Sequence, residues 1–381
     1  MTQQTVDLRL TPRDPIVARD GRPFGNGQNF RMRSLEWLYP SVVAGSLRTL
    51  LGKHLGGRFD EPVVRELKEV GVAGPLPIVG QKLFFPAPRD AVVRRDPRSL
   101  FAARPQQIDA VNEGCDLPDA GLQPVMLLDE VTEDFKPARV PAFWSIDVMR
   151  QWLLSRDGKS VKVPPDYASP DYFLEIEIDE RKHVSIDPDR YVAKEHLFYS
   201  TAALAFPEDM QIALRVVSEN QFSSKLKTLT ELHPLGGERR LVHWSSLDVG
   251  TAWDCPTDLA GELRQTLRLR MVLSTPAIFR KGWCPGWIGE NLQGNIPGTT
   301  CSVRLLGVCG ERWRPVSGWS LERGRRGEKP VRRLVPSGSV YFFERVHVAE
   351  QLPVEKVWLQ PVSDEVQDRR DGFGLAVWGV W

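Results

Sequence analysis

From residue 5 the chain alternates, with Val6, Leu8 and Leu10 apolar and Asp7 and Arg9 charged, the period-two pattern of a strand with one buried face. A loop rich in Arg, Gly and Asn follows over residues 13–33. The spacing then lengthens. Pro40-Ser41 introduce VVAGSLRTLLGKHLGG, where Val43, Leu47, Leu50 and Leu51 share one helical face, Ser41 stands as N-cap and Gly56-Gly57 supply the stop. A second helix is predicted from Ser145, with Ile146, Met149, Trp152 and Leu153 as its apolar stripe. Residues 86–140, rich in Pro and weakly periodic, predict an extended, loop-rich insertion over the surface.

Strand patterns dominate the rest: FLEIEI (173–178), LFYSTAALAF (197–206), QIALRVV (211–217), LRLRMVL (267–273), SVRLLGV (302–308) and GSVYFFERV (338–346). Many strands with few helices, and no strict strand–helix alternation, predict an α+β fold with mainly antiparallel sheets. At 381 residues two domains are expected, 1–224 and 225–381, with the soft boundary after SENQFSS. No repeat of 20 to 50 residues is visible, which argues against a solenoid.

Composition narrows the class. With 41% hydrophobic and 26% charged residues and a net charge of +1, the chain is an ordinary globular protein without a global basic field. Its 50 cations divide into 37 Arg and 13 Lys, a bias toward the side chain that grips phosphate bidentately and stacks on bases, although a GC-rich genome gives the same bias. Locally, Arg89, Arg94, Arg95, Arg98 and Arg104 exceed Asp90 and Asp96 by +3, and the run 311–333 has eight Lys or Arg against three Glu. That run reads equally as a basic hairpin over RNA or as a solvated loop.

The five cysteines form no C-x-x-C pair and read as reduced thiols of a cytoplasmic protein; neither a signal peptide nor a membrane span is expected. There is no phosphate-binding G-x-x-x-x-G-K-[ST] loop, no H-E-x-x-H, no G-x-S-x-G and no EF-hand, so no cofactor or metal is expected. Among six scattered histidines, His196 in KEHLFYS and His54 remain candidates for a general base in metal-free RNA cleavage.

Three segments join Gly to Arg: HPLGGERRLVHW (233–244), RKGWCPGW (280–287) and RRDGFGLAVWGVW (369–381). Gly-rich turns expose backbone amides that hold phosphate oxygens, and neighbouring Arg adds charge-assisted contacts. Each also reads as a plain hairpin turn beside a solvated face.

Taken in order, DPIVARDGRPFG, YPSVVAGSLRTLLG, FKPARVPAFWS, HPLGGERR, LSTPAIFRKGWCPGW, RPVSGWSLERG, VPSGSVYFF and DGFGLAVWG resemble, nearly end to end, the third Cmr subunit of type III-B CRISPR effector complexes. Ser337 stands where that family usually has Ala. The resemblance implies the RAMP superfamily in its Cas-five-like group, with two ferredoxin-like domains, an insertion around 86–140 and a glycine-rich loop near 372–379. It implies a non-catalytic subunit that binds the 5′ repeat-derived tag of crRNA beside a Cas-ten-like large subunit and a backbone RAMP subunit. The contacts expected on that basis are Arg19, Arg22, Ser41, Arg48 and Lys53 in the first half, and Arg239, Arg240, Arg280, Lys281, Arg369, Arg370, Gly372 and Gly374 in the second. A metal-independent RAMP endoribonuclease and a subunit with a purely protein-interface role are the competing readings.

Overall fold

The computed structural model describes residues 4–19, 30–94, 99–108, 114–119, 121–128, 135–156, 169–218, 220–248, 250–320, 327–347 and 351–381. Its helices are α1 (Pro40–His54), α2 (Glu61–Glu69), α3 (Ile146–Leu154), α4 (Asn220–Lys227), α5 (Thr257–Gln265) and α6 (Val366–Arg370). Among the described residues the other regular elements are one 3-10 turn and strands, mostly in antiparallel sheets. The chain divides into two compact units of three segments each: 1–75, 176–248 and 315–332 in the first, 76–175, 249–314 and 333–381 in the second. The position 224/225, where chain order suggested a boundary, falls inside α4.

In the first unit the predicted opening strand spans Gln4–Pro12, with Val6, Leu8 and Leu10 buried. It lies between Met210–Ser218 and Leu241–Ser246, pairing antiparallel with both (Leu8 opposite Leu214, Leu10 opposite Trp244). Each of its buried leucines contributes roughly 1.5–3 kcal/mol. The strand's apolar face shares one core with Val43, Leu47, Leu50 and Leu51 of α1, Leu67 of α2 and Leu226 of α4. The stripe of α1 is therefore as predicted, but its start is not. Tyr39 is the N-cap and Pro40 the first helical residue, so Ser41 lies inside the first turn. Proline wins that position because its fixed φ suits the helix and its missing N–H would have had no partner there.

The second unit carries a six-stranded sheet in the order Gln293–Asn295, Ser302–Cys309, Val340–Arg345, Arg268–Leu273, Leu375–Val380, Gln360–Pro361. Leu375–Val380 is buried at every residue. Ser145 caps α3 by accepting from the Val148 amide at 3.5 Å, and α3 buries Val148, Met149, Trp152 and Leu153.

Within the segment expected as a surface insertion, the described residues between 87 and 105 are largely buried. Ala91–Arg94 and Ser99–Ala102 pair as strands, and Asp90 and Arg104 are almost wholly buried. Asp90 Oδ2 accepts from Arg104 Nη1 at 3.0 Å and from Arg270 Nη1 at 2.9 Å, while its Oδ1 accepts from Trp152 Nε1 at 3.1 Å. Burial, with Arg104 beside it, pushes the Arg270 guanidinium below its ordinary pKa, and Asp90 opposes the shift. Asp90 and Arg104 belong to the segment expected on the surface, yet with Arg270 they sit in the interior, where one carboxylate serves two cations and an indole.

Candidate nucleic-acid interface

The segment Ser274–Trp287 leaves the end of the central strand Arg268–Leu273 and is fixed at short intervals. Ser274 N donates to Leu375 O at 2.6 Å, Ala277 and Val335 exchange both backbone bonds at 2.9 Å, and Ile278 N donates to Ser363 Oγ at 3.1 Å. Asp364 then closes the loop, its Oδ2 accepting from Arg280 N at 2.7 Å and its Oδ1 from Gly286 N at 2.8 Å. A Cβ on Gly286 would lie 2.4 Å from that carboxylate, so the close approach requires glycine. A loop held this way presents its side chains from a rigid frame.

Beside it opens a cleft of about 770 Å³ lined by Arg280, Lys281, Lys356 and Arg369, with Asp364 as the one carboxylate in the described lining. Arg280 reaches Glu365 Oε1 through Nε at 2.8 Å and Nη2 at 2.5 Å, but stays largely exposed. Lys281 Nζ donates to Ile288 O at 3.1 Å, leaving two of its three ammonium protons for other acceptors. Arg369 Nη1 is committed to Ser363 O at 2.8 Å and Asp364 O at 2.7 Å, so it braces the wall more than it projects from it. The surplus of positive charge suits a phosphate oxyanion. Lys356 was missed by the sequence reading: it sits at the end of a single 3-10 turn, Val354–Lys356, with no motif around it.

Three of the expected contacts, Arg280, Lys281 and Arg369, thus meet at one cleft. The C-terminal glycines do something else. Gly372, Phe373 and Gly374 are buried, and the amides of Gly372, Phe373, Gly374 and Leu375 donate to Arg369 O, Asp368 O, Pro276 O and Thr275 Oγ1. The amides expected to face phosphate are spent inside the fold. Gly374 has φ +84°, and a Cβ there would lie 2.6 Å from Ser363 Oγ. Its glycine is demanded by packing. Arg370 is half-buried at the end of α6.

In the first unit the expected residues are more scattered in role. Gly236, at φ +76°, admits the backbone of Val17, whose carbonyl would be 2.5 Å from a Cβ and accepts from Gly237 N at 2.8 Å. The Gly-Gly pair docks chain against chain. Arg239 projects outward, whereas Arg240 pairs with Glu238 at 3.2 Å. Arg48 Nη2 donates to Val70 O at 2.9 Å, tying α1 to the end of α2. Lys53 is exposed in the last turn of α1, and Arg19 is exposed where its backbone bridges Ser34. Arg22 and the side chain of His196 lie outside the described residues. His54 Nε2 sits 2.8 Å from Glu231 Oε1. His233, nearby in sequence, is buried, and its pKa is lowered by burial and then by Lys53.

In sequence, residues 8–381 match the family described as CRISPR-associated protein (Cas_Cmr3). None of the curated proteins matches. Among solved structures, a chain in the cryo-EM structure of the type III-B Cmr-beta bound to cognate target RNA is similar over 88% of this chain and 86% of its own, at 13% identity and TM-score 0.47. A chain in the crystal structure of the Csm3-Csm4 subcomplex in the type III-A CRISPR-Cas interference complex is similar over 91% of this chain and 94% of its own, at 12% identity and TM-score 0.40.

Proposed function

This chain belongs to the Cas_Cmr3 family of CRISPR-associated proteins, and from that premise we propose that it is a non-catalytic RNA-binding subunit of a type III-B Cmr complex. It holds the 5′ repeat-derived tag of crRNA and bridges the Cas-ten-like large subunit to the backbone RAMP subunits. The observation that carries this reading is the cleft lined by Arg280, Lys281, Lys356 and Arg369 against a single carboxylate, Asp364, among the described residues. Sugar-phosphate contacts of that kind position a strand without reading its bases. We add the exposed Lys53, Arg239 and Arg19 of the first unit as further backbone contacts.

Two ferredoxin-like domains are the fold we propose for the two units, on the ground that antiparallel sheet and helices occur in both. Among the described residues no helix is long and apolar enough to cross a membrane. The proposed location is the cytoplasm, where crRNA is made.

The test is to purify the tagged chain from its native host and sequence the RNA that accompanies it. Small RNAs sharing one repeat-derived 5′ end are expected. A preparation free of them, from cells with intact CRISPR transcripts, removes the reading. The alternative, a metal-independent endoribonuclease, draws on the 2.8 Å contact of His54 with Glu231, which would orient an imidazole as general base. Unchanged repeat cleavage by His54→Ala excludes that base, and no cleavage by the unaltered protein excludes the activity.

A further inference from the structure

Twelve tryptophans occur in the chain, and among the described side chains only Trp283 and Trp313 are exposed, at 37% and 43%. Thirty residues apart in sequence, both line one hollow of about 530 Å³ in the second unit. Its apolar wall includes Leu122, Val125 and Val308. Its charged rim is Lys281, Arg312 and Arg333, the last with its guanidinium 4.9 Å from the centre of the Trp313 ring. Glu311 is the one carboxylate in the described lining, and it is engaged by Arg89 at 2.8 Å and Arg314 at 3.2 Å. Tyr341 Oη donates to Trp283 O at 2.6 Å, anchoring the backbone that carries the first indole.

Two exposed indoles lining one concave, partly apolar hollow make it a candidate binding site. The occupant must be flat and apolar on its faces, to lie against indole, and must bring negative charge to three cations. An unstacked nucleobase with its phosphate meets both demands, and Arg333 stacked on Trp313 extends the layer by a cation–π contact. Lys281 lines this hollow and the basic cleft alike. The loop Arg280–Trp287 therefore borders both the basic cleft and the hollow.

We propose that the hollow between Trp283 and Trp313 seats one unstacked base of single-stranded RNA, whose flanking phosphate is held at Lys281. This rests on the RNA-binding reading above and adds where a base is splayed out of the strand. It concerns stacking, which tolerates any base, and so adds affinity without sequence preference.

The experiment measures binding of the full chain to single-stranded decauridylate and to an abasic oligomer of the same length, across a salt series. The unaltered chain should bind the decauridylate about tenfold more tightly than the abasic strand. Trp283→Ala with Trp313→Ala should abolish that preference and leave the salt slope unchanged, while Trp313→Phe keeps most of it. Both side chains are exposed, so the variants should fold as the parent does, which circular dichroism checks. If the double variant binds both oligomers as the parent does, the base seat is overturned and the RNA-binding reading stands. If the parent binds neither oligomer, the RNA-binding reading fails and the seat fails with it. Retained RNA affinity with loss of capture by the purified large subunit also overturns the seat, and assigns the hollow to a protein partner.

Discussion

Around Asp90, Arg270 meets its carboxylate with both side chains at 0% exposure, whereas Arg280 meets Glu365 with 73% and 51% of the side chains open to solvent. Both are arginine–carboxylate pairs of the second unit at hydrogen-bond distance. In the interior the low dielectric makes the pair indispensable, because neither partner can turn to water once the other is gone. At the surface water substitutes for either partner, so the pair adds little to stability and the guanidinium stays available to a ligand. Which arginine holds the fold and which meets a partner is therefore decided by burial.

The contrast breaks most readily at Asp90. Asp90→Asn removes the charge that Arg104 and Arg270 share, and should cost about 3–5 kcal/mol in urea unfolding; a loss below about 1 kcal/mol would mean that water already satisfies the two guanidiniums. Gly374→Ala should cost about 1–3 kcal/mol in the same measurement, from a non-glycine residue at φ +84° and a Cβ set against Ser363. A third effect is alkaline. Burial pushes the thiols of Cys255 and Cys309 up to about 12, above the value of an unfolded thiol. The unfolded chain then loses those protons first, and stability should fall as pH rises from about 9 toward 12, by at most about 1 kcal/mol per thiol between pH 9 and 10. Cys255→Ala and Cys309→Ala should flatten that fall; an unchanged slope removes the thiols as its cause. Smallest in stability is Lys356→Ala, expected within about 0.5 kcal/mol of the parent. Its effect should appear in the salt dependence of single-strand binding, with the slope reduced by about 0.7; an unaltered slope would take Lys356 out of the cleft's work.

Elements with a full apolar stripe could be read from the sequence. Val6, Leu8 and Leu10 alternate along a strand, and Val43, Leu47, Leu50 and Leu51 recur at helical spacing over about two and a half turns of α1. By contrast α2 buries only Leu67, too little periodicity to reveal a helix that Asp60 starts by accepting from the Val63 amide at 3.3 Å. Three of the four cations of the basic cleft were legible, Arg280 and Lys281 in one Gly-flanked motif and Arg369 in another, while Lys356, 75 residues beyond Lys281, carries no signal. The C-terminal glycines were recognisable as special but not as to purpose. A glycine that lets a ligand approach and one that lets another strand approach look the same until the neighbour is seen, and at Gly374 the neighbour is Ser363.

The interleaving of the two units also bears on how the chain is made. Residues 1–75 reach their partners in 176–248 and 315–332 only after long stretches belonging to the second unit have been synthesised. At ordinary ribosomal speeds that interval is on the order of tens of seconds. The strand Gln4–Pro12 waits meanwhile with both hydrogen-bonding edges unpaired, since its pairing partners begin at Met210. A nascent chain in that condition is a client for holding chaperones, and its earliest strand is also the one longest at risk of pairing with a neighbour on the same messenger.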